Sequence, residues 1–116
     1  MQTGSFKDLL VWQKSVELAK EMYSLTKDLP SQEMFGLTSQ MRRAAVSIPS
    51  NIAEGSKRGS KKDFSQFLRI ASGSAAELET QFLILKDHYP KIATEHASNL
   101  LSEIQKMLTM LVRSLS

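Results

Sequence analysis

Residues 55–68 read GSKRGSKKDFSQFL, and this short stretch decides what kind of fold the chain can have. Gly55-Ser56-Lys57-Arg58-Gly59-Ser60 interrupts a helical pattern, because glycine supplies the backbone freedom that a helix stop and a tight turn require. Ser60-Lys61-Lys62-Asp63 then opens a new helix. The Ser60 hydroxyl can accept a backbone N–H, and Asp63 can reach back. From there Phe64, Phe67, Leu68, Ala71, Ala75, Leu78, Phe82 and Leu85 step by three and four, which places them on one helix face.

Outward from this hairpin, Pro30 and Pro90 each follow a long helical pattern, where a helix should stop. Four segments result, roughly 6–28, 35–57, 61–88 and 91–115. Leu9, Trp12, Val16, Ala19 and Tyr23 share the helical period in the first segment. Ala93, Ala97, Leu100, Ile104, Met107, Leu111 and Leu115 share it in the fourth. No period-two stretch appears. Four helices on short links imply antiparallel neighbours. The expected fold is all-α: an antiparallel up-down-up-down four-helix bundle, one domain over residues 1–116. Pro49 lies inside the second helix and removes one backbone hydrogen bond. It predicts a bend near Ala45-Val46 or, alternatively, a helix in two pieces with the second starting near Pro49.

The apolar fraction of 41% and charged fraction of 23% in 116 residues are ordinary for a globular protein. With no cysteine, disulfide staples and thiolate metal sites are excluded. No apolar run approaches the roughly 20 residues that span a bilayer. The amino terminus, MQTGSFKDLL, has no apolar signal segment. A cytoplasmic location without membrane contact is the expectation.

The first helix carries a second apolar set, Val11, Leu18, Met22, Leu25 and Leu29, on the side opposite the Trp12 set. The fourth helix has a similar excess in Leu101, Leu108 and Val112. One face serves the core, and the other needs a cover. Val11, Leu18, Met22, Leu25, Leu101, Leu108 and Val112 are therefore expected to form an interface between copies of the chain. The alternative is a shallow patch covered by Lys and Glu stems.

Enzyme signatures fail one at a time. His88 and His96 flank Pro90 in different helices, and neither has a histidine four residues away, so zinc-type spacing is absent. Gly55 to Lys62 resembles a phosphate loop only superficially: three residues separate the glycines where four are required, and Ser60 precedes Lys61. Glu77 and Glu79 point to different sides of a helix, which makes them a poor catalytic pair. Arg43 or Arg42 should instead meet Glu77 across the interface of helices two and three. Around that level Ala44, Ala45 and Ser47 oppose Ala71, Ser72, Gly73, Ser74, Ala75 and Ala76, and close helix packing is the expected reason for Gly73. No cofactor or small-molecule substrate is indicated.

Charge is the sharper signal. Residues 42–69 hold seven of the fifteen Lys/Arg and two of the twelve Asp/Glu, a local +5 within a net +3. Such a block suits an anionic partner, and its alternative is a solvated helix end. Lys61 and Lys62 occupy a helix N-terminus, where the dipole disfavours cations. Arg42, Arg43, Lys57, Arg58, Lys61, Lys62 and Arg69 are the candidate nucleic-acid contacts. No aromatic residue lies within residues 36–63, so phosphate contact is expected there in place of base stacking.

Arg42-Arg43-Ala44-Ala45-Val46-Ser47-Ile48-Pro49-Ser50-Asn51-Ile52-Ala53-Glu54-Gly55-Ser56 resembles the proteins encoded in intervening sequences of bacterial large-subunit ribosomal RNA genes. Leu10-Val11-Trp12-Gln13-Lys14, Phe64, Phe67-Leu68, Ala71, Gly73-Ser74 and Glu77-Leu78-Glu79 extend the match over nearly the whole chain. The resemblance implies a four-helix bundle assembled as a ring-like homopentamer. It also implies kinship with the basic, nucleic-acid-binding accessory protein of diversity-generating retroelements. It supplies no catalytic residues. The expected function is a non-enzymatic oligomeric module binding RNA or DNA. The alternative is an adaptor that assembles through apolar helix faces.

Overall fold

A computed structural model describes residues 5–116, so residues 1–4 of the expected domain lie outside it. Four α-helices form a rod of 47 × 20 × 19 Å around one apolar core. They are α1 (Leu10–Thr26), α2 (Ser39–Ser56), α3 (Lys61–His88) and α4 (Glu95–Ser114). Neighbours run in opposite directions. Arg43 on α2 meets Glu77 on α3, and further along α2 Ser47 meets Ser74. On the other side, Lys14 and Glu17 of α1 face Glu103 and His96 of α4 in reverse order.

The boundaries follow local chemistry. Ser60 is extended, and its Oγ accepts the Asp63 N–H at 3.1 Å, while Gly59 at φ +90° turns the chain into α3. Before α1, Phe6–Asp8 forms a single 3-10 turn, with Ser5 Oγ accepting the Lys7 N–H. The second helix begins later than its sequence pattern. Residues Met34–Thr38 form a π-type turn with non-helical backbone at Gly36 (φ −114°, ψ −112°). α2 then passes through buried Pro49 as one element, without the division weighed as an alternative.

Small side chains bring α2 and α3 together: Ala44, Ala45, Ala71 and Ala75 are buried, and Ser47 Oγ lies 2.7 Å from Ser74 Oγ. The glycine that permits this approach is Gly55, not Gly73. A Cβ on Gly55 would lie 2.6 Å from Phe67 Cβ, whereas Gly73 faces open space.

The expected interface on α1 and α4 is corrected. Val11, Leu18, Met22, Leu25, Leu101 and Leu108 are buried within the single chain, and Val112 packs against the same core. The first six hold the bundle and are unavailable to a second copy, whereas Val112 is half-buried at the edge of the core. The other seam of α1 lies at the edge of the core, where Leu9, Trp12 and Ala19 pack half-buried against it and Tyr23 is exposed. Both seams share one period. The flexible aliphatic side chains fill the interior, and the rings with polar tips stay at the boundary.

A clasp closes the far end. Tyr89 Oη donates to Glu33 Oε2 at 2.6 Å, and the Leu37 N–H donates to Glu33 Oε1 at 3.2 Å. The Tyr89 hydrogen bond first, then the Leu37 amide, holds the Glu33 carboxyl below its ordinary 4.5. The same bond holds the Tyr89 hydroxyl above its ordinary 10.0.

Two outcomes are expected. Gly55→Ala destabilises the chain by about 1–3 kcal/mol through overpacking, and Gly73→Ala stabilises it by up to about 1 kcal/mol, both read by chemical denaturation. Because the folded pKa of Glu33 is depressed, its contribution is full above 4.5 and is lost as pH falls through the folded value. Glu33→Gln should flatten the melting temperature across that acid window relative to the wild type.

Candidate nucleic-acid interface

The α2–α3 turn gathers cations because each residue has a local reason to be there. Lys57 ends α2, with its N–H on the Glu54 carbonyl. Cations are favourable at a helix C-terminus. Lys61 and Lys62 form the first turn of α3, directly after the Ser60 cap. Arg69 lies about 12 Å further along α3, at 1.5 Å per residue. All four are exposed, and among the described residues none makes an ion pair.

The other three candidates are committed to the chain itself. Arg58 reaches back to Glu54 Oε2 at 2.6 Å and lays its guanidinium 4.8 Å from the Phe67 ring centroid. Arg43 bonds Gln40 and approaches Glu77 at 3.7 Å, the pairing expected from the sequence. Arg42 donates from Nε to Thr26 Oγ1 at 2.9 Å and stacks 4.6 Å over Tyr23. Arg42 and Arg43 also lie about 21 Å from Lys57 along α2. The seven residues thus separate into a free cluster at one end, with Arg58 paired to Glu54 inside it, and an occupied pair, Arg42 and Arg43, toward the other end.

Two further residues at the junction stand outside the candidate set. Phe6 and Phe64 line a shallow depression of about 310 Å³ beside Lys57, with Ser5, Leu9 and Ser56. Phe64 stands one position beyond the aromatic-free window, and Phe6 arrives only by tertiary packing. Both rings are half-buried, and Phe6 packs edge-on against Trp12 at 5.3 Å. The depression offers apolar edges beside a cation, not an open stacking platform.

His88 and His96 lie on the surface near Asp87 and Glu17, at 3.8 and 3.9 Å. No cluster of three metal-ligating side chains occurs among the described residues. No described helix is long and apolar enough to cross a membrane.

A family model described as 23S rRNA-intervening sequence protein matches residues 7–113. Among solved structures, a protein of unknown function from the S23 ribosomal protein family of Bacteroides thetaiotaomicron is 31% identical. It superposes with a TM-score of 0.81 over 89% of this chain and 98% of that one. No curated protein matches the chain.

Arg42 should behave as a structural residue. Arg42→Ala is expected to lower unfolding stability by about 1–2 kcal/mol, through removal of the Thr26 hydrogen bond and the Tyr23 stacking. Lys57→Ala should leave stability within about 0.5 kcal/mol. Urea titrations of the two variants distinguish them.

Proposed function

This chain belongs to the 23S rRNA-intervening sequence protein family, and we propose that it acts as a non-enzymatic, homo-oligomeric module that binds RNA or DNA by its phosphate backbone. The observation that supports this reading most is the set of free cations at one end of the rod: Lys57, Lys61, Lys62 and Arg69. Lys61 and Lys62 stand where the helix dipole opposes them. An anion at that end would relieve the conflict and meet the unpaired N–H groups of the first helical turn. Nearby acids do not cancel the charge, since Glu54 is taken by Arg58 and Asp63 is one carboxylate among four free cations.

A single copy presents few phosphate contacts, and affinity would come from repetition. Five junctions on a ring turn each further contact into an intramolecular event. Binding of this kind is largely indifferent to sequence and steeply dependent on salt. Arg42, Arg43 and Arg58 contribute to the field around the rod, with their side chains occupied.

An adaptor role is the second reading. It draws support from Phe35, an exposed ring at the end opposite the basic junction.

The test is a salt titration of the intact oligomer with RNA and with DNA. Log affinity should fall linearly with log salt. Joint Lys61→Ala and Lys62→Ala changes should reduce the slope by about 0.7–0.9 for each phosphate the variant no longer neutralises. Absence of binding at low salt would rule this function out and leave the adaptor reading.

A further inference from the structure

Phe35 is 95% exposed, more than any other large apolar side chain among the described residues. Scattered exposed apolar residues are normal on a protein surface, but this ring is presented on a fixed mount. Its turn is anchored by Glu33, which accepts from the Leu37 N–H on one side and from Tyr89 Oη on the other. The adjoining Gly36 has non-helical backbone, which breaks the turn away from α2.

On the same end of the rod is a groove of about 380 Å³ lined by Tyr23, Met34, Thr38, Arg42, Arg43 and Val46. Its apolar walls are open, with Tyr23 47%, Met34 48% and Val46 39% exposed. Arg42 is held flat by Thr26 and Tyr23, so one guanidinium face is fixed in place. No carboxylate lines the groove. The segment that carries Phe35, residues 28–36 beyond Lys27, contains Asp28 and Glu33 and no Lys or Arg. The segment that carries the ring is therefore acidic, while Arg42, whose partners Thr26 and Tyr23 are neutral, keeps its positive charge in the groove; Arg43 shares its charge with Glu77.

We propose that Phe35 of one copy seats in the Tyr23–Arg42–Val46 groove of a second copy of this chain. Both halves of the contact belong to one sequence, and the ring does not occupy the groove beside it in its own chain. An aromatic ring against apolar walls and an arginine has the composition of interface cores. The ring and the groove are different surfaces. A copy that gives its ring to one neighbour keeps a groove for another, and a rotation that closes makes a ring assembly. This inference rests on the homo-oligomer proposed above and supplies its contact.

The chain has no cysteine, so an engineered disulfide reports the contact directly. Phe35→Cys and Val46→Cys chains, co-expressed at full length and oxidised, should give a mixed disulfide dimer several-fold in excess of either like pair. Phe35→Ala should lower the native mass toward the monomer, with helical circular dichroism unchanged. An oligomer that forms no mixed disulfide, and keeps its mass in Phe35→Ala, overturns the docking and leaves the oligomer intact. A wild-type chain that is monomeric by light scattering overturns both. Protection of Val46→Cys from alkylation by added RNA, but not by rising protein concentration, assigns the groove to nucleic acid and also overturns the docking.

Discussion

The close approach of α2 to α3 governs the rest of the molecule. Gly55 slides beneath Phe67 where a single Cβ would collide, and the buried alanines at 44, 45, 71 and 75 keep the two axes near each other along the rod. Such contact fixes register tightly, because close-packed side chains do not deform continuously. Ser47 then reaches Ser74, Arg43 reaches Glu77, and the tight Gly59 turn is held at one end. The remaining helices pack on this pair. α1 contributes Leu18 and Met22, and α4 contributes Ile104 and Leu108, to the same core.

Register also decides which charges stay free. A guanidinium beside a carboxylate or an aromatic face is drawn into the chain's own network, as Arg42, Arg43 and Arg58 are. Lys57, Lys61, Lys62 and Arg69 make no ion pair and no cation–π contact among the described residues. The rod is therefore polarised. One end presents uncommitted cations, and the other carries the Glu33–Tyr89 clasp, the Phe35 ring and the groove behind it. The two proposals use different ends, so oligomer contact and anion contact do not compete for the same side chains.

The fold was readable to a large extent because its signals are local. Gly59, the Ser60 cap, Pro30 and Pro90 each act through the backbone of their immediate neighbours, and the α3 boundaries follow from them directly. The stretch before α2 was less readable. Met34 to Thr38 has helical composition, yet Gly36 and the Glu33 side chain draw it into a wider turn, using a hydroxyl from Tyr89, 56 positions away.

On the candidate site, the sequence determined which residues are cationic and that four of them cluster at a helix junction, since both follow from order along the chain. Arg58 is occupied by a partner four positions away, Glu54, but only the tertiary structure decided that Arg42 and Arg43 are occupied as well. An ion pair such as Arg43–Glu77 or a stack such as Arg42 on Tyr23 joins residues that are distant in sequence. The tertiary structure likewise decided which seam of α1 is the core. Val11, Leu18, Met22 and Leu25 have the same period as Leu9, Trp12, Val16 and Ala19, and periodicity measures only that a face is apolar. What turns one face inward is the shape of the space that α2, α3 and α4 leave to be filled, and that space exists only after they have packed.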